Sequence, residues 1–363
     1  MDAADLLHYA VERGASDLHL SAGNVPFIRV DGELLPTAFP VVDAAQVLDV
    51  AQSLMPLHKR DEFARTNEAD FAYTLDGVAR FRINVLRQRG SAALAIRQVA
   101  SEGQTFDELH LPPVVQTLAE ARRGLILVTG PTGAGKTTTI AAMLGFINRT
   151  RRAHIVTIED PIEVVHGDDL SLIWQREVGL DTESYAAGLK QVLRQDPDVI
   201  FVGEIRDAAA ATSAIQAAQT GHLVFSTMHT IDAAETVSRI VELFPDREQH
   251  QIRASFAGAL RGIVSQRLLE RIDGRGRVPA VEVLLNNGRV TERIVDADAT
   301  GELTDVIAEG RYDGMQTFDQ ALVELVQAGV VAEDDARAVA SNPHDFSLAL
   351  SGVGRGVALA QGA

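Results

Sequence analysis

The 363-residue sequence contains no cysteine, which removes disulfides, thiolate nucleophiles, Cys-based zinc sites and iron–sulfur clusters in one step. It has no run of about 18 or more apolar residues, so a membrane-spanning helix is not expected. Positive charge is scarce: 33 Lys and Arg stand against 50 Asp and Glu, a net −17 that opposes general attraction to nucleic-acid backbones or anionic lipid. No nucleic-acid partner is expected, although net charge averages over the surface and leaves room for a local basic groove. Residues 1–15, MDAADLLHYAVERGA, carry acids where a secretory signal needs positive charge. The expectation is a cytoplasmic chain that could dock on a membrane protein. Ordinary hydrophobic and charged fractions, 46% and 23%, exclude wholesale disorder, and the length points to two domains.

The first hundred residues read as α+β. An amphipathic helix precedes strand-like runs at 17–20 and 27–30, the latter followed by the turn pair Asp31-Gly32. Runs at 70–75 and 79–86 flank Asp76-Gly77, and Phe81, Ile83 and Val85 alternate with Arg80, Arg82 and Asn84 as in a half-buried strand. Residues 101–113, polar and then Pro-rich, read as a linker. From Gly124 short apolar runs at 125–129, 155–158, 199–202 and 223–227 alternate with helical patterns, as a parallel sheet covered on both faces requires. The expected division is 1–100, a linker, an α/β domain over 114–290, a helical region over 291–345 with Phe318, Leu322, Leu325 and Val326 on one face, and a mobile tail over 346–363.

Gly130, Pro131, Thr132, Gly133, Ala134, Gly135, Lys136 and Thr137 spell G-x-x-x-x-G-K-T between a strand-like run and a helical one that opens at Thr138. Glycines let backbone amides turn inward around phosphate oxygens, Lys136 reaches the β/γ-phosphates, Thr137 can ligate Mg²⁺, and the helix N-terminus favours the anion. Such a loop needs an acid on a second strand, and the run 198–203 ends in Glu204. Three further carboxylates, Glu159, Asp160 and Glu163, close another predicted strand; one could position or deprotonate the attacking water, or the cluster is simply a solvated loop. His222 and His229 bracket one strand and suit a γ-phosphate sensor, an interface hydrogen bond or an ordinary satisfied histidine better than a metal site. Arg80, Arg82, Arg97 and Arg206 are open between a solvated face and charge neutralisation supplied from a neighbouring subunit.

The motifs GPTGAGKTTT, IEDPIE, VIFVGE with RD following, and TGHLVFSTMHT resemble, in order and spacing, the secretion and pilus-assembly ATPases, over residues 1–345 and most closely its pilus-retraction branch. ASDLHLSAG and FRINVLRQRG resemble that family's N-terminal PAS-like domain, which is joined to a RecA-like ATPase domain. The resemblance implies ATP and Mg²⁺ as cofactors, Lys136 and Thr137 at phosphate and metal, Glu163 as catalytic base and Glu204 as Walker B acid. It further implies His222 and His229 as the His box, with Arg82 and Arg97 reaching a neighbour's site. It also implies a homo-hexamer at the cytoplasmic face of the inner membrane, acting on an inner-membrane platform protein. One segment departs: retraction members carry AIRNLIRE where this chain has Arg289-Val290-Thr291-Glu292-Arg293-Ile294-Val295-Asp296. An accessory or assembly ATPase of the same family, or a nucleotide switch with negligible hydrolysis, is the alternative.

Overall fold

Local signals nucleate the elements of the chain, described here for residues 1–101 and 103–351 in a computed structural model. Helix α1 (Ala3–Glu12) starts at Asp2, whose carboxylate accepts the Ala4 amide. Helix α2 (Ala44–Leu54) opens on a reciprocal Asp43/Gln46 capping box, and α3 (Leu57–Thr66) follows. These caps satisfy amides that a helix end leaves without partners. Six strands, β1 (Asp17–Ser21), β2 (Phe27–Val30), β3 (Glu33–Pro36), β4 (Glu68–Leu75), β5 (Ala79–Gln88) and β6 (Ser91–Gln98), form an antiparallel sheet in the order β3-β2-β1-β6-β5-β4. Alternation divides it: Leu18, Ile28, Ile83 and Ile96 are buried with Leu6, Leu7 and Val47, while Asp17, Arg97 and Arg82 stand in cross-strand register one residue away, so their side chains share the other face. This first unit is Met1–Ser101 together with Glu163–Val165, which join it through a bridge between Ala100 and Val164.

The second unit holds the remaining described residues. Its strands are β7 (Gly124–Thr129), β8 (His154–Glu159), β9 (Leu172–Glu177), β10 (Val199–Val202), β11 (Leu223–Met228), β12 (Leu260–Glu270) and β13 (Arg277–Leu285), ordered β13-β12-β7-β11-β10-β8-β9. All neighbours pair in parallel except β12 and β13, so the expected parallel sheet is in fact mixed, with an antiparallel edge. Helices α4 (Pro113–Ala119), α5 (Lys136–Thr150), α6 (Tyr185–Val192), α7 (Ala208–Gln219), α8 (Ala233–Glu242) and α9 (Asp246–Ala259) connect or cover it. Along β7, Leu125 and Leu127 enter one core while Ile126 and Val128 enter the other. Two apolar layers explain why these strands read as continuous hydrophobic runs.

Three expected boundaries are corrected. The segment read as a linker over 101–113 carries Phe106 and Leu111 into the core with β7 and α5, so its residues from 103 on are part of the second unit. The helical region is integrated as well: α10 (Gly288–Val295) and α11 (Leu303–Glu309) place Ile294, Leu303 and Ile307 in the main core. Helices α12 (Phe318–Gln327), α13 (Glu333–Val339) and α14 (Pro343–Leu350) close a satellite core with Leu269 and Val278. The tail expected from residue 346 begins instead as α14, with Phe346 fully buried; the rest of that expectation, 352–363, lies outside the described residues. Among the described residues no helix is long and apolar enough to cross a membrane.

Candidate active site

Because β7, β11, β10 and β8 run in parallel, the segments that follow them emerge at one edge of the sheet. Ligands of open α/β sheets bind at that carboxyl edge. The P-loop follows β7. At Gly130 the backbone has φ +144°, and an added Cβ would stand 2.4 Å from the Gln266 carbonyl oxygen, so only glycine fits. Helix α5 begins at Lys136 with Gly135 as its N-cap and no side-chain cap, leaving its first amides to an anion. β12 buttresses the loop through buried hydrogen bonds, Thr129 Oγ1 to Ser265 Oγ at 2.9 Å and Gln266 Nε2 to Thr139 Oγ1 at 2.9 Å.

Lys136 is only 8% exposed. Its ammonium donates to the Gly130 carbonyl at 2.7 Å and the Pro131 carbonyl at 3.1 Å, and lies 3.3 Å from His229 Nδ1. His229 Nε2 lies 3.4 Å from Glu204 Oε1, and Arg206 grips Glu204 Oε2 at 2.8 Å. A neutral imidazole protonated at Nε2 satisfies both neighbours, since Nδ1 then accepts from the lysine and Nε2–H donates to the carboxylate. Each cation on this line faces a carboxylate, a carbonyl or a ring lone pair. The hydrogen bond to Glu204 holds the Arg206 proton more tightly than usual. A cavity of about 340 Å³, lined by Ala134, Gly135, Thr138, Leu268, Arg277 and Pro279, opens beside the P-loop.

The acidic segment after β8 divides into three environments. Glu159 is buried and accepts from Thr157 Oγ1 at 2.6 Å and Gln175 Nε2 at 3.1 Å, so it braces the strand end. Asp160 is exposed, near the Tyr185 hydroxyl. Glu163 is exposed and belongs with the first unit. Arg82 and Arg97 also lie on the first unit, in direct register, Arg97 Nε 2.8 Å from Asp17 Oδ1. His222 is not with the phosphate site: it precedes β11, whose far end carries His229, and its Nδ1 meets the Ala217 carbonyl at 3.0 Å and Thr220 Oγ1 at 3.2 Å. Six strand residues separate the two histidines by about 20 Å.

Sequence reasoning missed Tyr185. Its ring packs on Gly203, where an added Cβ would come 2.8 Å from the phenol oxygen. Burial first, then the Asp160 charge, pushes its hydroxyl proton affinity well up, so it stays a neutral neighbour of Glu204 and Arg206. No motif marks it. Gln266 was missed too, because a glutamine inside a strand announces nothing until the strand is paired beside the P-loop.

A glycine-lined loop between a parallel strand and an uncapped helix, with lysine, histidine and carboxylate converging on it, defines a P-loop nucleotide-binding α/β protein. More narrowly, the chain belongs to the type II/IV secretion system protein family, whose model matches residues 2–352. It is similar to the type IV pilus retraction ATPase PilT of Pseudomonas aeruginosa, 41% identical over 346 residues, spanning 95% of this chain and 100% of that one. It is also similar to the type IV pilus ATPase PilU of the same organism, 37% identical over 348 residues, with 96% and 91% covered. The crystal structure of the pilus retraction motor PilT with bound ADP matches at a TM-score of 0.85 and 43% identity, covering 95% of this chain and 98% of that one.

Proposed function

We propose that this chain is a Mg²⁺-dependent ATP hydrolase that assembles as a homo-hexamer and powers pilus retraction at the cytoplasmic face of the inner membrane. The observation that carries the reading is the line Lys136, His229, Glu204 at the mouth of the P-loop. The similarity to PilT along nearly the whole chain supports the biological setting. The first unit is read as the PAS-like domain and the second as the RecA-like domain, with the platform protein as the partner acted on.

Lys136 exchanges its bonds to the Gly130 and Pro131 carbonyls for phosphate oxygens, while the first amides of α5 hold the anion. The neighbouring cavity receives the nucleoside. Thr137 and Glu204 offer oxygen donors only, the hard ligands that suit Mg²⁺, and would hold an ion there whose charge would offset that of the phosphates. His229 senses the γ-phosphate through the contact it now makes with Lys136. Glu163 takes the proton of the attacking water. Arg82 and Arg97 serve a neighbouring subunit's site, and His222 acts at a subunit contact.

Glu163→Gln tests the chemistry: turnover falls below about 1% of parental while ATP binding is kept, and parental turnover in the variant removes the assignment. One observation favours a second reading, an accessory role: α10 carries RVTERIVD where the resemblance calls for AIRNLIRE. Failure of the gene to restore retraction without a second ATPase, despite full hydrolysis, would select that reading.

A further inference from the structure

The edge of the second unit's sheet opposite the P-loop holds a cavity of about 620 Å³. Arg122 and Arg123 precede β7, Arg261 is the second residue of β12, and all three line it and are exposed. No described carboxylate pairs with any of them. Beneath, Arg151 donates to the Ala121 carbonyl at 2.9 Å and buries an Nε that has no hydrogen-bond partner. Burial, and then the Arg122 charge, weakens the hold of Arg151 on its proton, with only Asp198 opposing. Positive charge is thus concentrated here, in a chain whose net charge is −17.

The walls are fixed before any ligand arrives. Asn286 Nδ2 donates to the Ala257 and Leu260 carbonyls at 2.7 and 2.9 Å, and Gln219 Nε2 to the Ser255 carbonyl at 3.1 Å, so both tie down the end of α9. We propose that this cavity is the docking site for an acidic peptide segment of a partner protein. Arginine forks match carboxylates bidentately, and the volume takes a few side chains. A long polyanion would meet the repulsion of the whole acidic surface, whereas a short acidic segment meets only the local field. The strand β7 that starts here ends in the P-loop, about 20 Å away, so docking leaves nucleotide binding free. The inference does not depend on the retraction reading.

The test is fluorescence anisotropy of a labelled Asp- and Glu-rich peptide with the full chain, at fixed salt, with and without ATP. Saturable binding is expected, weakened at least about tenfold in Arg123→Glu and in Arg261→Glu and unchanged in Lys136→Ala. Arg123→Gln gives the same reading if the charge reversal disturbs folding, which retained ATP binding checks. Equal binding by the variants overturns the proposal. Tighter binding of a DNA duplex or of phosphatidylglycerol vesicles also overturns it, as does loss of the parental oligomer in the variants, which would place the arginines between copies of the chain.

Discussion

His229 Nδ1 stands 3.3 Å from Lys136 Nζ, joining the residue that follows β11 to the helix that begins at the P-loop lysine. Its other nitrogen faces Glu204 at 3.4 Å. One imidazole therefore touches both the phosphate-binding cation and the acid that follows β10, and a phosphate entering the loop must alter the first contact. His229→Ala is expected to lower turnover about 100-fold with ATP affinity little changed. Steady-state kinetics beside nucleotide titration separates the two; a parallel loss of affinity would make His229 a binding residue only.

Gly130→Ala is expected to destabilise the fold by about 1–3 kcal/mol and to abolish ATP binding, because the new methyl meets the Gln266 carbonyl and φ is +144°. Thermal unfolding and nucleotide titration check it. An unchanged melting temperature would mean that β12 yields at no cost.

Glu282 on β13 is 5% exposed, accepts the Ala233 amide at the start of α8 at 2.9 Å, and has its pKa pushed up to about 7 by burial. The folded state therefore keeps a proton that the unfolded chain, near 4.5, has released. Stability attributable to this group is greatest below pH 4.5 and falls as pH rises to about 7, where it levels off. The change is on the order of 3 kcal/mol. Glu282→Gln should flatten that part of the profile in denaturant unfolding across pH 5–8 while keeping an acceptor for Ala233.

Arg97 is 71% exposed, and its ion pair with Asp17 is worth no more than about 1 kcal/mol. Burial would raise the Asp17 pKa, yet the hydrogen bonds from Arg97 and Ser16 outweigh it and hold the carboxyl low. Arg97→Ala should thus leave the melting temperature nearly unchanged while lowering turnover in the assembled protein. Equal turnover would return Arg97 to an ordinary solvated face.

What the sequence disclosed follows from how each element is buried. β7, β10 and β11 are buried on both faces, so their runs are continuous and legible. β12 and β13 are buried along their middles but exposed at ends such as Arg261, Glu270 and Arg277, and Ser265, Gln266 and Glu282 interrupt the apolar run because they brace the P-loop or meet the start of α8. Phe106 and Leu111 are too few to betray a packed segment among polar neighbours. Spacing alone identified the P-loop, and a strand length sufficed to part His222 from His229. It could not sort Glu159, buried and hydrogen-bonded, from exposed Glu163, because that difference is made by Thr157 and Gln175.

The proposed homo-hexamer completes its nucleotide sites between subunits. The most direct measurement is steady-state ATP hydrolysis with Mg²⁺ across protein concentrations, beside Lys136→Ala. Activity per chain that rises with concentration and vanishes in the variant is the predicted result; activity independent of concentration, or unaffected by the loss of Lys136, would contradict it.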